Sequence, residues 1–103
     1  MNIEYRNDKF KRQLENEKTL VASFGLLNAR KISRRIRELE AAENLSDLVT
    51  GRPHPHVGSR KGLFSLDIQH PLRLIIRPTG EFDLNNYKTI TSIEIYEIMD
   101  PHK

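Results

Sequence analysis

Cysteine is absent from the 103 residues, which removes a disulfide frame, a thiol nucleophile and a thiolate metal site together. Also missing is any apolar run long enough to span a bilayer. The first residues, MNIEYRNDKFKR, are too polar for the hydrophobic segment of a signal peptide. A soluble cytoplasmic protein with no membrane partner is therefore expected. Repeats and low-complexity segments are missing as well. Glycine and proline are scarce, yet Gly51, Pro53, Pro55, Gly58 and Gly62 crowd into one short stretch, which marks it as a loop.

The length allows one modest core and hence one domain, residues 1–103. Lys and Arg number 17 against 14 Asp and Glu, a net charge of +3. That excess leans toward nucleic acid only if it is focused on one face.

Taken in order, Ile3 and Tyr5 alternate with polar neighbours in a short edge strand. Asn7 reads as the N-cap of a helix in which Phe10, Leu14, Val21 and Phe24 recur at helical spacing up to Gly25, with the polar run at 15–18 as a point of fraying or breakage. From Leu26 a second helix carries the stripe Ala29, Ile32, Ile36 and Leu39 and ends near Asn44. Its arginines suit a phosphate track, but they read more simply as the solvated face of an amphipathic helix. Residues 45–50 form a short turn or strap.

The stretch 51–77, GRPHPHVGSRKGLFSLDIQHPLRLIIR, follows. Its first half, Gly51 to Gly62, is a basic, histidine-containing loop. Two strands follow around a turn: Phe64, Leu66 and Ile68 share one face, Leu72, Leu74 and Ile76 another, and Arg73 and Arg77 point the opposite way. Ile90 to Met99 is the last strand, and its alternation slips, which predicts a β-bulge near Tyr96. The expected architecture is α+β: two N-terminal helices on one face of a small, mostly antiparallel sheet, in the order β-α-α-β-β-β.

The run Gly51-Arg52-Pro53-His54-Pro55, then Gly58-Ser59-Arg60-Lys61-Gly62, then His70-Pro71-Leu72-Arg73-Leu74 after a strand, resembles the RelE/ParE toxin superfamily. The nearest branch is the HigB-like plasmid-maintenance killer toxins. The resemblance implies a toxin of a type II toxin–antitoxin system, a ribosome-dependent mRNA endonuclease (mRNA interferase) that uses no metal or other cofactor. It implies a cognate helix-turn-helix antitoxin as partner, mRNA on the ribosome as substrate, and DNA contact only through the antitoxin complex. Carried over residue by residue, it places the motif histidine on His54, the motif arginine on Arg60, the hairpin arginine on Arg73, and the terminal motif on Asp100, Pro101 and His102. This chain departs from the branch at Val57 (often lysine), Leu72 (often aromatic) and Pro101 (tyrosine). The ParE branch poisons gyrase instead, so a gyrase inhibitor is an alternative. A weakly active relative that acts through antitoxin binding and operon autoregulation is another.

Metal-free RNA cleavage needs a base for the ribose 2′-OH, cations on the phosphoryl oxygens and an acid for the leaving 5′-oxygen. His54 and His102 are the candidate base and acid, in either order. Arg60 and Arg73 are phosphate clamps, and Asp100 orients a histidine or a ribose hydroxyl. Arg52, Lys61 and Arg77 are expected to contact RNA. His56 reads as an exposed bystander and His70 as a turn residue. His54 and His56 alone are too few to hold zinc. Gly58 and Gly62 make no phosphate loop, since a strand follows them. The scheme requires the last strand to run beside the hairpin.

Overall fold

The computed structural model describes residues 1–48, 53–56 and 62–100. Among these, three helices pack against one face of a five-stranded mixed sheet, which is the expected α+β class. Strand β1 (Asn2–Tyr5) is followed by helices α1 (Asp8–Glu15), α2 (Glu17–Phe24) and α3 (Leu26–Ala41). Then come β2 (His54–Pro55), β3 (Phe64–Gln69), β4 (Leu72–Pro78) and β5 (Ser92–Met99). The spatial order is β1-β5-β4-β3-β2. β1 runs parallel to β5, and every other pair is antiparallel. No helix among the described residues is long and apolar enough to cross a membrane.

The helical layer follows from its caps. The Asn7 side chain accepts a 2.8 Å hydrogen bond from the Phe10 N–H and opens α1. The polar run at 15–18 breaks the expected first helix in two, because Asn16 caps a new one: its side chain accepts from the Lys18 N–H at 2.9 Å and the Thr19 N–H at 3.4 Å. Gly25 ends α2 at φ +83°, a conformation that a side-chain-bearing residue adopts only with strain, and α3 starts at the next residue. In α3, Ala29, Ile32, Ile36 and Leu39 are the buried stripe, as their spacing predicts. The helix stops at Ala41, short of Asn44, because the Asn44 side chain instead caps a 3₁₀ turn at Leu45–Asp47 by accepting from the Ser46 N–H.

Beneath the helices lies a core of Phe64, Leu66, Ile68, Leu72, Leu74, Ile76, Ile93 and Ile95 from the sheet, with Ile32, Leu39, Leu20 and Leu14 above them. The bulge expected near Tyr96 is present: Ile75 pairs with Glu97 and the adjacent Ile76 with Ile95, leaving Tyr96 as the extra residue. Arg6 bridges this point to α1, its guanidinium 5.3 Å from the Tyr96 ring centroid and 5.4 Å from that of Phe10.

The segment read as a loop from Gly51 to Gly62 contains an edge strand. His54 pairs with Ser65, Pro55 with Phe64, and the His56 N–H donates to the Leu63 carbonyl at 2.9 Å. Proline is compatible with an edge, where its missing N–H breaks no inner ladder. This pairing fixes His54 to the sheet.

Two stability predictions follow from this packing. Ile32 is fully buried between layers, so Ile32→Ala should lower unfolding free energy by about 2–5 kcal/mol in denaturant titrations. The Tyr5 phenol is pushed above its ordinary value of 10.0, first by burial and then by Glu15 and Glu40. A raised value favours the neutral phenol in the fold, so its contribution is complete below pH 10.0 and is lost as pH rises through the folded-state value. Stability curves of Tyr5→Phe should therefore fall less steeply on the alkaline side than those of the wild type.

Candidate functional site

Alternation along the strands divides the sheet into a helix-covered face and an open face. On β3 the open face takes Ser65 and Asp67; on β4 it takes Arg73, Ile75 and Arg77. β5 contributes Glu94, Glu97 and Met99, the register partners of Arg77, Ile75 and Arg73. The middle of this face is closed: Ser65 and Ile75, partners across β3 and β4, are 2% and 0% exposed. Charged groups therefore gather toward the two ends of β4.

At the hairpin end, Asp67 and Arg73 are direct register partners. Asp67 has two neighbours: the His54 Nε2 lies 3.6 Å from its Oδ2, and an Arg73 guanidinium nitrogen lies 3.9 Å from its Oδ1. All three side chains are about half exposed, at 48%, 55% and 40% for His54, Asp67 and Arg73. Such exposed pairs contribute at most about 1 kcal/mol to stability. Their arrangement orients side chains and does not hold the fold together. The backbone of Asp67 is fixed independently, since its carbonyl accepts a 2.9 Å hydrogen bond from Arg35 Nε of α3 and the β3–β4 register shifts just beyond it. Arg35 is itself held by Glu38 at 3.0 Å.

The opposite end of β4 is built differently. Arg77 makes a two-pronged contact with Glu94, at 3.3 Å and 3.1 Å, and Glu94 is only 16% exposed. That bond, with the Glu94 charge, pushes the Arg77 guanidinium further above its ordinary range. Arg73 meets its carboxylate at a longer distance and in more solvent, so it is the arginine more easily given over to an external anion.

The structure thus brings His54 and Arg73 together on one face. As the scheme requires, β5 runs beside the hairpin, with Met99 opposite Arg73. Asp100, however, lines a separate recess of about 290 Å³ with Ser23, Phe24, Asn28, Leu72 and Ile98, between the sheet and helices α2 and α3. Arg52, Arg60, Lys61 and His102 lie outside the described residues, as do Val57 and Pro101. His56 is half-buried rather than exposed. His70 stands at the turn between β3 and β4, and the His70–Pro71 peptide is cis. It lines a recess of about 250 Å³ with Asp67, Pro71, Leu72 and Arg73.

Asp67 is the residue that the motif-based reading passes over. The signal for it is a carboxylate in the middle of an apolar strand, on the parity opposite to Phe64, Leu66 and Ile68 and so on the face of Arg73. Along α3, Arg30, Arg34 and Arg37 are exposed and line a groove of about 400 Å³ that also holds Glu15 and Glu17, so both signs of charge meet there. Among the described residues, no three His, Asp or Glu side chains are grouped to hold a metal ion.

The contrast between the two ends of β4 is measurable. Arg77→Ala strips a mostly buried carboxylate of its partner and should cost about 1 kcal/mol in denaturant unfolding. Asp67→Asn, at an exposed position, should stay within about 0.5 kcal/mol of the wild type. No protein-family model matches the chain, and no curated protein matches it either.

Proposed function

We propose that this chain is the toxin of a type II toxin–antitoxin pair, a ribosome-dependent endoribonuclease that cuts mRNA through its own 2′-OH. The observation that carries the reading is the His54–Asp67–Arg73 arrangement on the open face: a proton-transfer group, its orienting carboxylate and a phosphate-binding cation, all on paired strands.

In this reading the His54 Nε2 stays toward Asp67, leaving Nδ1 to take the ribose proton. The carboxylate stabilises the imidazolium that forms. Arg73 turns its guanidinium from Asp67 to the phosphoryl oxygens, where charge accumulates as the 2′-oxygen attacks phosphorus. The P–O5′ bond breaks, leaving a 2′,3′-cyclic phosphate and a 5′-hydroxyl. Arg60 and His102 join this set through the family resemblance, as do Arg52 and Lys61 as RNA contacts; Arg77, held by Glu94, and Asp100, in its separate recess, stay outside it. A site built from few groups suits an enzyme whose substrate is already positioned on the ribosome. The cytoplasm is the compartment where that substrate is found, and a helix-turn-helix antitoxin is the protein partner.

Induced expression without the antitoxin should arrest growth, and primer extension should map new mRNA ends inside coding regions. His54→Ala should reduce cleavage in a translating extract about 10²- to 10⁴-fold, and Arg73→Ala about 10²- to 10³-fold. Intact mRNA in that extract would sink the proposal. Intact mRNA together with blocked DNA supercoiling would replace it with a gyrase-directed toxin.

A further inference from the structure

We infer that His70, the hairpin-turn histidine, is a second catalytic imidazole, the acid that protonates the leaving 5′-oxygen. This rests on the endoribonuclease reading above and assigns the half of the reaction that His54 leaves open.

The argument begins with positions along β3. His54 is level with Ser65. Asp67, opposite Arg73, lies two residues further toward the hairpin end, roughly 7 Å along the strand. His70 follows at the turn. The order along β3 and into the turn is therefore His54, then the Asp67–Arg73 pair, then His70. A recess of about 250 Å³ joins the last two stations, lined by Asp67, His70, Pro71, Leu72 and Arg73.

An in-line displacement at phosphorus puts the attacking and leaving oxygens on opposite sides of the phosphoryl group. A phosphate held by Arg73 would have one imidazole on each side, which is what that geometry demands. His54 backs onto a carboxylate, which suits it to gain a proton. His70, as the acid, gives one up. The balance closes: the 2′-OH proton goes to His54, the O2′–P bond forms as the P–O5′ bond breaks, and the His70 proton goes to O5′. Exchange with water then resets both rings. The register shift between Asp67 and Gln69 fits the same purpose, because a bulge re-aims the residues that follow it.

The test uses two versions of an mRNA bound on the ribosome, identical except that one carries sulfur in place of the 5′-bridging oxygen at the cut linkage. A thiolate leaves without protonation, so the sulfur substrate needs no acid. His70→Gln and His70→Asn should each lose about 10²- to 10⁴-fold on the oxygen substrate and recover most of it on the sulfur substrate. His54→Gln should stay slow on both. Wild-type rates on the oxygen substrate for either His70 variant would overturn the inference. So would failure of sulfur to rescue both variants, or rescue of His102→Gln in their place. Each of these outcomes leaves the nuclease reading standing. A wild-type protein that cuts neither substrate defeats that reading and this inference with it.

Discussion

The middle of strand β4 is buried on both faces, the strand is paired on both edges, and the rest of the molecule is arranged to allow it. Leu74, Ile75 and Ile76 are consecutive and fully buried. Leu74 and Ile76 point to the helices, while Ile75 points the other way and belongs to the covered centre of the open face. Such a strand can carry charge only near its ends. That constraint sends Arg73 to the hairpin end and Arg77 to the other.

The two arginines show how one residue type on one face serves two purposes. Arg77 is locked to a carboxylate that is mostly out of water, and it cannot leave without stranding that charge. Arg73 faces a solvated carboxylate at longer range, so exchanging it for a phosphate costs little. Asp67 is then the pivot: its backbone is tied to α3 through Arg35, while its side chain stays in solvent between His54 and Arg73.

Much of the fold was legible in the sequence because it is written in apolar spacing. The stripe Ala29, Ile32, Ile36 and Leu39 identified α3, and the slip in alternation after Ile95 located the bulge at Tyr96. Three things were not legible. The pairing of His54 with Ser65 leaves no periodic trace, because Pro-His-Pro-His has no apolar alternation and its hydrogen bonds are to the backbone. The helix break at Asn16 was visible only as polarity; that the same side chain starts the next helix depends on its rotamer. The side on which Asp100 lies depends on the bulge and on the end of β5, where alternation no longer constrains a residue. For the candidate site, His54 and Arg73 were found by type and motif. Asp67 needed its register partner to become meaningful.

The parallel pairing of β1 with β5 also bears on the order in which the chain can fold. Asn2 pairs with Ser92, 90 residues away along the chain. The closure of so long a loop is entropically unfavourable until other contacts have already drawn its ends together. The hairpin of β3 and β4, with its local turn, can form early, and β5 can add to it. β1 must wait for β5 although it precedes β5 by most of the length of the fold. Until then Ile3 and Tyr5 have no sheet to cover, so this strand depends for its order on residues at the far end of the fold.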